Sequence, residues 1–158
     1  MKKRREENMA NFFPTIHEKN INKEKVIIPD NFLDKNIIII VAFQRWHQEL
    51  VDKTIKILES NGLDLSHDII EIPIIQKHSW FRQVRLDTIM RLGITDYNIR
   101  KRTITVYLDK KDFRDKLDIP DEETIHWFLV EHYSKNILLK GIGIISNEEI
   151  RKIMNKLS

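Results

Sequence analysis

The chain of 158 residues contains no cysteine. That one absence removes disulfides, thiolate nucleophiles, Cys-ligated zinc and iron–sulfur clusters together. Glycine and proline are scarce, four of each, and no low-complexity linker or internal repeat divides the chain. Long apolar runs are missing as well. The longest, Ile37 to Phe43, is far too short to span a bilayer. The basic start Lys2-Lys3-Arg4-Arg5 is followed by Glu6-Glu7 rather than by the apolar core of a signal peptide. These absences lead us to expect a cytoplasmic protein with no membrane span. Nor is there a large excess of charge. The 27 basic and 24 acidic side chains leave a net +3 and are interspersed, the pattern of a solvated surface. The clusters Lys2 to Arg5 and Arg100-Lys101-Arg102 have the size of solubilising tails and loop ends, so nucleic acid is a minor reading.

What remains fits one domain, large enough to bury roughly two-thirds of the surface of its unfolded form. Residues 1–11 are charged and aperiodic, which predicts a frayed leader before a domain over 12–158. Phe12 to Ile16 and Val26 to Ile28 suit a small hairpin, ended by Pro29-Asp30-Asn31. Ile37 to Phe43 is a continuous β-branched run, as expected of a central strand covered on both faces. After it the period changes. Leu50, Val51, Thr54, Ile55, Ile57 and Leu58 keep mainly to one helical face, and Gly62 is placed to end the helix in a left-handed conformation. Asp68 to Ile72 then predicts a strand closed by Pro73, parallel to the first across a right-handed crossover.

Further along, Phe81, Val84, Thr88 and Leu92 repeat at helical spacing within Trp80 to Leu92, with Gly93 as the stop. Thr103 to Leu108 reads as a third strand and Asp112 to Leu117 as a short helix. Ile125 to Glu131 and Ile137 to Ile142 read as a hairpin. Ser146 to Glu149 has the form of a capping box, opening a helix with Ile150, Ile153, Met154 and Leu157 on one side.

This order resembles the thioredoxin-like superfamily, specifically its redoxin or peroxiredoxin-type branch. The likeness is carried by Phe13-Pro14, by Lys25, Val26 and Pro29, by the strand D-K-N-I-I-I-I-V-A-F, and by F-L-V-E followed by a turn, N-I-L-L-K-G and a capped helix. The resemblance implies an α/β fold, a three-layer α/β/α sandwich with a mixed five-stranded sheet and an N-terminal β-hairpin. It does not carry the chemistry across. Placed without gaps, the family's Cys-x-x-Cys falls on Gln48-Glu49-Leu50-Val51. The region of its cis-proline, or of an arginine followed by a small residue, reads Glu123-Thr124-Ile125-His126, and the proline-threonine-cysteine loop is missing. Thiol redox catalysis is excluded by composition alone, and no cofactor is implied. Superfamily members that assist assembly of respiratory or ATP-synthase complexes make a binding role conceivable, with a protein partner first and a small anionic ligand as the alternative.

On such a fold the loop after the first parallel strand lies at the carboxyl end of the sheet and leads into a helix amino terminus. Gln44, Arg45, Trp46, His47 and Gln48 are therefore the candidate rim, bordered by Pro73 to Trp80 and faced by Thr124 and His126. The simpler alternative has Trp46 packed over the helix, Arg45 snorkelling and His47 capping. His47, His78 and His126 are candidates to converge, but none has the spacing of a compact metal motif, so no metal site is assigned. His17, His67 and His132 are expected in turns facing solvent. Glu49 and Glu71 are expected as surface acids, as are Arg82, Arg85, Asp87 and Arg91 on a solvated helix face.

Overall fold

The computed structural model describes residues 11–19, 24–32, 34–76 and 103–156. A hairpin of β1 (Ile16–Lys19) and β2 (Lys25–Ile28) comes first, followed by β3 (Ile37–Ala42). A single 3-10 turn over Arg45–His47 leads into α1 (Gln48–Ser60), and the one-turn helix α2 (Leu63–Ser66) precedes β4 (Asp68–Gln76). Then come β5 (Val106–Leu108), α3 (Lys110–Lys116), β6 (His126–Val130), β7 (Ile137–Ile142) and α4 (Asn147–Asn155).

The five-stranded sheet has the order β5-β4-β3-β6-β7, with β3 in the middle. β3 runs parallel to β4 and antiparallel to β6, so the sheet is mixed. All six residues of β3 are buried, because consecutive side chains point to opposite faces and each face is covered. Ile37, Ile39 and Val41 meet Phe13, Ile16, Ile28, Phe113 and Phe128 on one side. Ile38, Ile40 and Ala42 meet Val51, Ile55 and Leu58 of α1 and Ile150 and Ile153 of α4 on the other. The expected three layers are present.

The local signals hold in several places. Gly62 has φ 73°, the left-handed value anticipated for it. Ser146 and Glu149 form the reciprocal capping box at the start of α4. At Gly141 a side chain is impossible without rearrangement: a Cβ there would fall into the Trp127 ring and against the Glu149 carboxylate.

Several boundaries need correction. β1 begins only at Ile16, where the apolar stretch from Phe12 had been expected to pair; Phe12 instead forms an isolated bridge with Asn136. Pro73 does not close β4, which continues to Gln76. The reason is a change of neighbour. The ladder with β3 ends at the Ala42–Pro73 pair and that with β5 starts at Ile74, so the missing amide falls at the hand-over. β5 is confined to Val106–Leu108, and Thr103 makes only an isolated bridge to Glu71. Met154 is 38% exposed rather than part of the buried stripe of α4. The expected leader residues 1–10, the expected helix Trp80 to Leu92 with Gly93, its charged face, and Leu157 lie outside the described residues. Asn11 is described, and its carbonyl accepts the Ile137 amide at 2.6 Å. No helix among the described residues is long and apolar enough to cross a membrane.

Candidate binding site

The β3 ladder ends at Ala42, and Phe43 remains buried. The next five residues separate sharply. Gln44, Arg45, Trp46 and Gln48 are exposed, and His47 is fully buried. His47 is what shapes the turn. Its Nδ1 accepts the Phe43 amide at 3.0 Å and the Gln44 amide at 3.2 Å. Two amides at the end of a strand would otherwise have lost their partners. Because Nδ1 accepts, the ring proton sits on Nε2 and the imidazole is neutral. The His47 pKa is lowered, chiefly by burial; the Glu123 backbone and the Glu122 charge oppose that lowering and Lys110 adds to it. The simpler expectation had His47 capping; its side chain closes the 3-10 turn by accepting the Gln44 amide, but as the N-cap of α1 it makes no side-chain cap bond to that helix.

Trp46 departs from that simpler expectation. It is 60% exposed, and its ring lies edge-on to the His47 ring with centroids 4.4 Å apart. A buried imidazole thus carries an exposed indole. The opposite wall is fixed by charge. Lys110 of α3 donates from Nζ to the Phe43 carbonyl at 2.9 Å and lies 3.4 Å from Glu122. Arg114 Nε lies 3.2 Å from the same carboxylate, though off the hydrogen-bonding direction. These three side chains are mostly covered, so the pairs fix geometry more effectively than a surface bridge does.

His126, the first residue of β6, is buried beside this turn, its ring edge-on to Phe43 with centroids 6.4 Å apart. Burial lowers its pKa first; Asp121 opposes, and His47 and Lys140 add to the lowering. Among the described residues the buried Nε2 atom of His126 has no hydrogen-bond partner, and that of His47 lies by the Glu123 backbone without a well-aligned bond to it. Thr124 is half-buried, its hydroxyl facing the side on which Gly143 would carry a Cβ. The register pairs His126 with Ile142, which is 65% exposed, and Ile144 follows with part of its side chain open. The structure therefore brings Gln44 to Gln48, Thr124 and His126 to one end of the sheet. Trp80 and His78 lie outside the described residues. The described residues contain no group of three or more His, Cys, Asp or Glu side chains able to hold a metal.

Two expectations about titratable groups are overturned. His67 is buried rather than solvent-facing, its Nδ1 2.8 Å from Ser66 Oγ, because α2 folds it back under Leu63 through the bond from its amide to the Leu63 carbonyl. Glu71 is buried rather than a surface acid. It takes the Thr103 hydroxyl and, at 3.3 Å, the Gln48 amide, which ties the start of α1 to β4. An acid inside the apolar run I-I-E-I was a legible signal of burial. The Lys110, Glu122 and Arg114 set had none, since their meeting depends on how α3 turns back. His17 is exposed as expected but lies on β1, and His132 is half-buried with Nδ1 2.9 Å from Asn36 Oδ1.

No family model and no curated protein matches this sequence. Solved structures do. A thiol:disulfide interchange protein from Bacteroides sp. matches with TM-score 0.56 at 14% identity, over 92% of this chain and 87% of that one. The exposed lipoprotein thioredoxin of Streptococcus pneumoniae matches with TM-score 0.60 at 7% identity, over 90% and 99%. A thiol:disulfide interchange protein of the DsbE type from Chlorobium tepidum matches with TM-score 0.57 at 9% identity, over 93% and 94%. Identities this low speak to the backbone only. Of the two positions that gapless placement assigns to sulfur, Gln48 is exposed and Val51 is buried in the core. The chain has the thioredoxin-like fold, with its mixed five-stranded sheet and amino-terminal hairpin, built without a cysteine.

Proposed function

We propose that the protein works by binding another protein through the rim at the carboxyl end of β3, as an interaction or assembly factor without redox chemistry. The observation that carries this reading is Trp46, a large aromatic 60% exposed on a turn whose backbone is pinned by a buried histidine. A rigid, amphipathic side chain of this kind gives contact area at little cost in conformational entropy. Ile142 and Ile144 add apolar surface at the same end of the sheet, and Arg45 supplies a charge at its edge. Structural neighbours are named for thiol–disulfide exchange, and a chain without sulfur nucleophiles has no means of running that reaction itself. A small anionic ligand at the start of α1 is the weaker reading, because Gln44, Arg45 and Gln48 are exposed and the Gln48 side chain already donates to Asp52 and Glu71, whereas a built anion site would enclose free donors.

The test is affinity capture from native cells, using wild type, an Arg45→Ala/Trp46→Ala double variant and Leu65→Ala as a control at another exposed apolar residue elsewhere. The expected result is a partner retained by wild type and by Leu65→Ala and lost by the double variant, with all three folded by circular dichroism. A partner retained equally by all three would place recognition elsewhere.

A further inference from the structure

The 43–48 turn is closed by one titratable acceptor. His47 Nδ1 receives two main-chain amides, and no second acceptor takes either of them among the described residues. A proton added to that lone pair converts the only acceptor into a donor. It would then face two donors, with the Phe43 amide left unbonded inside the protein and the Gln44 amide unbonded at its edge. Relief by rotation of the ring is blocked, because the imidazole is fully buried between Trp46 and the segment before β6. Relief by a counter-charge is weak too. The groups that act on His47 are Lys110 of α3, Glu122, the Glu123 backbone and His126 of β6. Glu122 is already committed to Lys110 and Arg114. His126 is itself a buried base, faced by Asp121 and Lys140. A second proton there repels the first.

We infer that His47 is a proton-operated latch: neutral, it holds the turn closed and Trp46 in place, and protonated, it releases the Phe43 and Gln44 amides and unseats the indole. Whatever surface Trp46 presents is then available at neutral pH and withdrawn in acid. Burial, which holds both imidazoles below their ordinary range, sets the latch to open only under acidic conditions rather than near neutrality. His126 broadens the response, because a proton on either ring disfavours a proton on the other.

The inference concerns the isolated chain and stands or falls without any partner, so its failure is separate from failure of the binding reading. The experiment is a pH titration from 7.5 to the acid limit of folding by NMR, reading the His47 ring nitrogens and the Phe43 and Gln44 amides. At pH 7.5 the ring should be the Nε2–H tautomer. On acidification Nδ1 should protonate below the ordinary histidine range, and both amides should shift with the same midpoint. Their hydrogen exchange should then be about tenfold or more faster than in His47→Asn at the same pH, the loss expected for one released bond. The asparagine carbonyl offers an acceptor that cannot titrate. If that variant does not fold, wild type alone decides, through whether the ring and the two amides share a midpoint. An Nδ1–H tautomer at pH 7.5, or amides that ignore the ring's protonation, overturns the latch.

Discussion

β3 and the turn that follows it differ in almost every respect although only Phe43 separates them. The strand is six buried residues with no polar side chain, and apolar clusters cover both of its faces. The turn has four exposed residues around one buried base. Burying apolar area stabilises the strand in proportion to the surface removed from water. The turn is held largely by polar contacts, among them two hydrogen bonds to one imidazole nitrogen, the His47 amide on the Gln44 carbonyl and a lysine on the Phe43 carbonyl. Folding energy and recognition surface are therefore placed in consecutive segments with little overlap.

Mutations can break that separation. The largest effect is expected at Ile39, in the centre of the sheet with no exposed surface. Ile39→Ala should cost about 2–5 kcal/mol through lost burial and a residual cavity, read from urea unfolding; a loss below about 1 kcal/mol would mean that β3 is not the core. His47→Ala should come next. It leaves the buried Phe43 amide and the part-buried Gln44 amide without their acceptor, a cost of about 1–3 kcal/mol, and His47→Asn should recover part of it. Equal stability of the two variants would show that the bonds to Nδ1 do not hold the turn.

Acid should weaken the molecule for the same reason. His47, His67 and His126 all have lowered pKa values, in each case chiefly through burial. An unfolded chain protonates its histidines near the ordinary value of about 6.5, while these three resist in the folded state. The folded state thus binds fewer protons, and stability rises with pH in this window. Their contribution is fully present above the unfolded value, falls as pH drops through it, and stops falling below the folded values. Urea midpoints at pH 7.5 and 5.5 should differ in that sense, and a flat profile contradicts the burial of these rings. The smallest effect belongs to Trp46. Trp46→Ala should change stability by no more than about 0.5 kcal/mol, whereas a tryptophan in the core would cost about 3–5 kcal/mol.

Much of this architecture is legible in the amino-acid order because periodicity and punctuation act locally. The isoleucine run, the face of α1, Gly62 and the Ser146 capping box each announce themselves within a few residues. What escapes the sequence is set by contacts between distant segments. Pro73 is tolerated because two different neighbours meet there, Thr103 to Thr105 drops out of β5, and His67 is buried by the fold of α2. The site shows the same division. That Gln44 to Gln48 would form a rim at the sheet end follows from strand and helix signals. The groups that set the electrostatics of its buried base, Lys110, Glu122 and Glu123, lie at least 60 residues away, and no local pattern encodes that.

The most direct test of the turn as a recognition surface is site-specific photo-crosslinking in the native cell. A photoreactive phenylalanine replaces Trp46 in one version of the protein and Leu65, also exposed at 77%, in another. A discrete adduct from position 46 and none from position 65 is the predicted result. Adducts of the same mass and yield from both positions, or from Leu65 alone, would contradict the account.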